Sequence, residues 1–379
     1  MGFTPSATWA QAFNDVVAED IALPQDRRVV AESIVPPAFP VWGSIEDDFW
    51  VVEEETEAPE DIVGPVWLGS VVQRWRELGV ECNTKKDVNG APGAEVQGAW
   101  VDGHHHWCGV SVPKRWLLLQ GGLRILSRRT VRVSLLARWI GKASFAQSFK
   151  TCCRSFFDAC YAWINHHRSC GSKRGTLWPA VSSEIVATCL VLPYMQFSFT
   201  SPFCTRVEAS DAAPGGHGRA WTRMNAETVQ TAARLCEGKG VYTNLALPGG
   251  LCLDERGRCP MDQVDMHAKS YAWSLAGRPG GYRHINLEEA DALVWSVHDR
   301  LRRPGEQSVR ALHLVDSAAV CGAARKGRSS SGRLNVHMRR LAACSLAGDM
   351  GLFFAWVATD VNPADRTVRL AGMVFELRV

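Results

Sequence analysis

Four acidic residues in the C-terminal half stand in settings where carboxylates can do chemistry. Arg206-Val-Glu-Ala-Ser-Asp211 reads as a short strand ending on an acid, and the Ala-Ala-Pro-Gly-Gly-His-Gly that follows turns the chain back beside it. Glu289 lies in His284-Ile-Asn-Leu-Glu-Glu-Ala, from which Leu287, Ala290, Leu293 or Val294, Val297 and Leu301 share one helical face. Ala311-Leu-His-Leu-Val-Asp316-Ser is an apolar strand that again finishes on an acid. Residues 352–357 form another strand-like run, and Asn362-Pro-Ala-Asp365 follows it.

Two strands ending on Asp, a Glu on the helix between them and a further Asp after a later strand can converge on one point. Carboxylates a few ångströms apart cannot all stay ionised without cations. Hard divalent ions answer that need, and Mg²⁺ (or Mn²⁺) keeps positions open for water and phosphate oxygens. Two such ions about 4 Å apart activate a water and stabilise the leaving 3′-oxygen of a phosphodiester. Each acid also has a plainer reading. Asp211 suits a turn, and Glu289, three residues after Asn286, suits a capping box. Asp316 suits the cap of the segment after it, and Asp365 a turn or helix start. The order and setting of all four together favour one shared site.

The elements that must position these residues emerge from length and patterning. The 379 residues suggest two or three domains. Apolar residues make up 46% and charged residues 21%, a globular balance that excludes collagen-like, coiled-coil and wholly disordered chains. No apolar run approaches the roughly 20 residues needed to span a bilayer. Residues 1–20 lack a basic segment followed by an apolar core, so an intracellular, cytoplasmic or nuclear, non-secreted protein with reduced cysteines is expected.

The net charge of +3 hides a split: residues 1–62 balance at −12 and the rest at +15. Residues 114–174 carry 13 Lys/Arg against the single acid Asp158, interleaved with aromatics in a pattern that attracts phosphate backbones. A helical domain with a solvated basic face explains the same composition. Apolar residues recur at helical spacing through 117–126, 131–149 and 152–164. From about 182 onward strand-like and helix-like segments alternate, which points to an α/β layer. Residues 238–282, rich in turn signals, read as an irregular insertion.

The C-terminal strings resemble the ribonuclease H-like domain of reverse transcriptases from retroelements, nearest to DIRS-like and related elements abundant in dinoflagellate genomes. They are Ala-Ser-Asp211-Ala-Ala-Pro-Gly-Gly-His-Gly, His-Ile-Asn-Leu-Glu-Glu289-Ala, Leu-His-Leu-Val-Asp316-Ser, Lys326-Gly-Arg-Ser-Ser-Ser-Gly-Arg-Leu-Asn335 and Asn362-Pro-Ala-Asp365-Arg. The resemblance covers roughly residues 180–370. It implies that Asp211, Glu289, Asp316 and Asp365 bind two metal ions and cleave the RNA strand of an RNA–DNA hybrid. It also implies a mixed sheet flanked by helices. Two features depart from a compact version of such a domain: the long stretch between Asp211 and Glu289, and the lack of a His before Asp365, where Lys326-Gly-Arg-Ser offers cationic help.

Upstream, Val41-Trp-Gly-Ser-Ile-Glu-Asp47-Asp48-Phe-Trp-Val-Val resembles the Tyr-x-Asp-Asp box of a polymerase palm, which implies metal binding by Asp47 and Asp48. A solvated acidic loop fits the same residues. Met1-Gly-Phe-Thr-Pro-Ser-Ala-Thr-Trp resembles the helix beneath the incoming nucleotide, and Gln97-Gly-Ala-Trp-Val-Asp102-Gly the primer-gripping hairpin. The expected fold class is therefore α/β (α+β overall). Residues 1–110 would form part of a palm, 111–180 a helical thumb/connection and 181–370 the ribonuclease H-like domain. In such polymerases another metal-binding Asp precedes the Met-Gly-Phe segment. Asp15, Glu19, Asp20 and Asp26 lie after it, so polymerase activity is not expected from this chain alone.

Phosphate contacts are expected from Lys114, Arg115 and Lys142 in the first basic stretch, and from Lys326, Arg328 and Arg333 in the second. The expected partners are an RNA–DNA hybrid or other nucleic acid and the remainder of a polyprotein, with no membrane. A catalytically silent nucleic-acid-binding remnant is the alternative. Three adjacent His residues, His104 to His106, cannot all reach one ion from a hairpin, and the Cys spacings do not make a zinc site.

Overall fold

The computed structural model describes residues 6–29, 36, 38–45, 48–54, 62–82, 87–213, 216–235, 243–244, 264–265, 271–277 and 283–365. The chain forms two compact units, Met1–His105 and His106–Val379. The fold is mixed α/β.

In the first unit, α1 (Ser6–Asp20) and α2 (Gly64–Glu77) pack on a hairpin of β1 (Val41–Ile45) and β2 (Asp48–Val52). Trp42 is fully buried there among Val17, Ala18, Leu23 and Val71, and it stacks on Phe49 at 5.5 Å. The start of α2 leaves backbone N–H groups without intrahelical partners. Glu53, just after β2, satisfies two of these donors, accepting from Val63 N at 2.8 Å and Gly64 N at 3.0 Å. A second hairpin joins β3 (Gly93–Val96) to β4 (Ala99–Asp102). Its two turn residues, Gln97 and Gly98, both have positive φ, the conformation that matches the twist of paired strands.

The second unit opens with helices. Strand β5 (Trp107–Gly109) precedes α3 (Val112–Leu126), β6 (Val131–Arg132), α4 (Val133–Gln147) and a 3-10 turn over Thr151–Phe157. Next come α5 (Asp158–Ser169), β7 (Arg174–Gly175), α6 (Pro179–Val191) and β8 (Gln196–Ser198), with β6 pairing β7 and β5 pairing β8. Leu136, Ile140, Phe157, Trp163, Val181 and Ile185 lie in one shared core. Residues 182–191, which open the stretch expected to alternate strands and helices, thus belong to α6 and to the helical core.

The sheet layer comprises β9 (Arg206–Ala213), β10 (Gly216–Arg223), α7 (Ala226–Leu235) and the short pair β11 (Thr243–Asn244) and β12 (Val264–Asp265). It continues through β13 (Ala272–Gly277), α8 (Ile285–Arg300), β14 (Arg310–Val315), α9 (Ala318–Lys326), α10 (Gly332–Ala347) and β15 (Gly351–Trp356). The five long strands run in the order β13-β10-β9-β14-β15, antiparallel on the β13 side and parallel among β9, β14 and β15. Residues 272–277, read in the sequence as part of an irregular insertion, are thus an edge strand of the central sheet. Period-two alternation sorts the side chains onto two faces. Val315 and Phe354 pack with α8, α9 and α10, whereas Leu312, Leu314 and Ala355 pack with Val229 and Ala232 of α7.

The helical and sheet layers are stitched together by polar contacts. Asn335 donates to Ser155 O at 3.0 Å, Arg339 pairs with Glu184 at 2.6 Å, and Lys150 with Asp349 at 3.0 Å. Gly327 ends α9 at φ +67°, and a Cβ there would sit 1.7 Å from Thr151 O, so only Gly fits. Among the described residues no helix is long and apolar enough to cross a membrane.

Candidate metal centre

The site is built from the ends of β9 and β14 and the start of α8. Val315 pairs with Ser210 in parallel register, which sets Asp316, one residue past β14, level with Asp211. Helix α8 is anchored lower down, where Ser296 donates to Glu208 at 2.7 Å. From Ser296 back to Glu289 is two helical turns, about 10 Å of rise. From Glu208 to Asp211 is three strand residues, also about 10 Å. One anchor therefore brings Glu289 level with Asp211.

Asp211, Glu289 and Asp316 each present an oxygen within 4.8 Å of the others. Asp211 and Glu289 are buried, at 5% and 7% exposure. The plainer readings of these residues give way. Asp211 lies inside a strand, not in a turn. The cap of α8 is His284, whose ring accepts from Asn286 N, so Glu289 closes no capping box. The cap of α9 is Ser317, not Asp316.

The electrostatics are those of acids forced together. Burial, then repulsion from Asp211 and Asp316, pushes Glu289 up to about 9. Burial, then the charge of Asp316, pushes Asp211 up to about 6, although Ala212 N donates to it at 2.8 Å. Asp316 is raised chiefly by burial, against hydrogen bonds from Asn362 and Thr359. Among the described residues, Glu289 Oε2 and Asp316 Oδ1 are buried oxygens with no hydrogen-bond partner. A protein interior rarely leaves such acceptors unmatched. Oxygen-only donors with unmatched lone pairs fit a hard divalent cation, so Asp211, Glu289 and Asp316 could hold one.

The other expected ligands stand apart from this trio. Asp365 is close enough for its charge to raise Asp211 and Asp316, yet its carboxylate is not in the 4.8 Å set. Its backbone N donates to Asn362 O at 3.1 Å. Asp47 lies outside the described residues. Asp48 is exposed at the head of β2, opposite Ile45, and joins no cluster of three metal-capable groups among the described residues.

Of the expected phosphate-binding residues, Lys142, Lys326, Arg328 and Arg333 are exposed, and Lys114 is half-buried. Arg115 is engaged within the chain. It donates to Pro193 O at 2.7 Å and lies 5.1 Å from the Trp107 ring centre.

Sequence reading missed the residues that hold the acids in place. Asn362, which donates to Ser210 O at 3.3 Å, and the Ser210–His313 pair, at 3.0 Å, brace the strand end before Asp211. A second buried acid, Glu208, is held by Arg206, Arg300 and Arg303. The available signal was a charged residue two positions from Ser210 on a strand whose alternate residues are apolar.

A mixed five-stranded sheet between helices, with a carboxylate cluster at its strand ends, defines the architecture. No family profile matches the chain, and no curated protein matches it in sequence. Solved structures are similar at low identity. The foamy viral protease-reverse transcriptase in complex with an RNA/DNA hybrid is 11% identical, with a TM-score of 0.34, over 88% of this chain and 58% of that one. The same viral protein in complex with dsDNA is 13% identical, with a TM-score of 0.37, over 95% and 60%. An RNase H1 isolated from compost by a metagenomic approach is 13% identical, with a TM-score of 0.27, over 44% and 94%. The chain thus spans well under two thirds of the length of the viral reverse transcriptases that it matches.

Proposed function

We infer that this protein is a divalent-metal-dependent nuclease of ribonuclease H type, of retroelement reverse-transcriptase descent, that hydrolyses the RNA strand of RNA–DNA hybrids. One observation carries the reading: two buried carboxylates, Asp211 and Glu289, and the half-buried Asp316 converge at the sheet end, with two oxygens unmatched among the described residues. The order of these acids along the chain, with Asp365 behind them, supports the same reading. Asp211, Glu289 and Asp316 would hold Mg²⁺ or Mn²⁺, with Asp365 beside them, two ions in all. The ions would lower the pKa of water and stabilise charge on the scissile phosphate and leaving oxygen.

This chain's own residues supply position and exclusion. Asp211 and Asp316 fix the sheet side of the site through the β9–β14 register, and α8 brings Glu289 over it. Glu289, raised by burial and then by the charges of Asp211 and Asp316, would carry a proton near neutral pH in the metal-free site. Exposed Lys142, Lys326, Arg328 and Arg333 are available to phosphates, so hybrid affinity should fall steeply with salt.

The test is incubation of labelled RNA–DNA hybrid with Mg²⁺, wild type beside Asp316→Asn. Cleavage by wild type and none by the variant is expected. Equal binding without cleavage by both would make the protein a silent nucleic-acid binder instead.

A further inference from the structure

We propose that Cys152 and Cys153 together hold a soft monovalent metal ion of the Cu(I) class, at the wall of a cavity separate from the acid cluster. The cavity, about 300 Å³, lies between the helical and sheet layers of the second unit, and Cys152 lines it with Lys150, Cys108, Met338 and Met350. It sits toward the opposite end of the sheet from Asp316. Gly351, on its wall, pairs with Arg310, which stands six residues, about 20 Å of strand, before that acid.

Geometry singles out the pair. Three residues make a turn of the 3-10 segment Thr151–Phe157, so successive side chains ordinarily point about 120° apart. Here the two Sγ atoms converge to 3.9 Å. At a metal–thiolate bond of about 2.3 Å, that spacing subtends about 115° at a shared ion, between the tetrahedral and trigonal angles. A disulfide suits the pair less well. It usually joins Cα atoms about 4.4–6.8 Å apart, whereas adjacent Cα atoms are about 3.8 Å apart.

The donor set then chooses the ion. Soft sulfur ligands select Cu(I), zinc or iron–sulfur clusters. A closed zinc site takes four N or S ligands and a cluster takes four thiolates. Among the described residues these two thiols join no group of three metal-capable His, Cys, Asp or Glu side chains. Cu(I) needs fewer ligands, and Met338, Met350 and Cys108 on the same cavity wall are further soft donors. Binding breaks two S–H bonds, forms two S–metal bonds and releases two protons to solvent, leaving a net charge of −1 beside Lys150. The hydrogen bond with Cys153 already holds the Cys152 thiol below its ordinary range.

The experiment is anaerobic competition between the reduced full chain and the chromogenic Cu(I) chelator bicinchoninate. Wild type should withdraw a first equivalent of Cu(I), and Cys152→Ser and Cys153→Ala should each lose that equivalent. Cys170→Ser, which removes an exposed thiol, should match wild type. Equal withdrawal by all four proteins would assign the metal to scattered thiols and overturn the proposal, as would no withdrawal by wild type. Loss in only one member of the pair would reduce the site to a single thiol and refute the shared ion. Excess Mg²⁺ should leave the bound Cu(I) in place, whereas its displacement would move the ion to the acid cluster. Cys153 is fully buried, so its variant need not fold, and wild type alone gives a second reading. Alkylation by iodoacetamide, read by peptide mass, should spare Cys152 when Cu(I) is bound and modify it when Cu(I) is absent. Equal modification in both states would sink the assignment.

Discussion

Strand β9 carries two buried acids three residues apart, and they live in opposite worlds. Glu208 is fully buried but ringed by Arg206 at 2.7 Å, Arg303 at 2.8 Å, Arg300 at 3.3 Å and the hydroxyl of Ser296. Burial alone would raise it, yet these partners outweigh burial and hold it down at about 2. Asp211 has acids for neighbours and is pushed up to about 6. A buried charge persists only if paired. The chain supplies Glu208 with its own cations, whereas the Asp211 end has none from the chain and, on the proposed function, would be completed by a bound cation.

The sharpest way to break that contrast is to neutralise each end in turn. Asp211→Asn removes a repelled carboxylate, so the metal-free protein should melt at the same temperature or higher. Hybrid cleavage should nonetheless fall by about 10³-fold, since a Lewis-acid contribution of several kcal/mol is lost. Glu208→Gln should do the reverse. It leaves Arg300, at 0% exposure, with Glu306 at 3.2 Å as its remaining counter-ion, so the loss should approach but not exceed about 3–5 kcal/mol, the cost of a fully broken buried pair. Chemical denaturation would read this cost. If Asp211→Asn destabilised the fold as much as Glu208→Gln, the division between the two ends would be wrong.

Much of this was legible in the sequence, and the exceptions have physical causes. Asp316 could be placed because an apolar run ending on an acid is a strong strand-end signal, and the helix carrying Glu289 because its apolar face has a clear period. The edge strand Ala272–Gly277 was not legible. It is short, contains Gly and Ser, and lies among turn signals, so only its pairing with Gly216 to Trp221 defines it. Nor was the Glu208 network legible, because three arginines from β9 and α8 and its following turn meet only in the fold. Arg115 resembled a phosphate contact by composition, but the folded chain takes its guanidinium for Pro193 O and Gln196.

The two ends should also separate by pH. A raised carboxylate stabilises the fold below its ordinary pKa and loses that contribution as pH rises toward its folded value. For Glu289 the window runs from 4.5 to about 9. Metal-free wild type should therefore lose stability relative to Glu289→Gln between pH 5 and 9. Mn²⁺ at about 100 times its Kd should restore about 2.7 kcal/mol to wild type and little to the variant. Glu208 runs oppositely. Its contribution is full above 4.5 and is lost as pH falls toward about 2. Melting curves of the three proteins across pH 2–9 would check both signs. A wild-type curve parallel to that of Glu289→Gln throughout would contradict the reading of the acid end.

The smallest expected effect tests the link between the ends. Ser296 joins α8 to Glu208, and two turns further along the helix Glu289 meets Asp211. Ser296→Ala removes one hydrogen bond to a charged group, a loss of about 1.5–3 kcal/mol in stability. Leu293 and Val297 still pack α8 against the sheet and keep its height on β9. Cleavage should consequently fall less than tenfold, with no change in the Mg²⁺ requirement. A drop in activity as large as that of Asp211→Asn would mean that the hydroxyl, not the apolar packing, sets the level of Glu289, and that the two ends of β9 are mechanically one site.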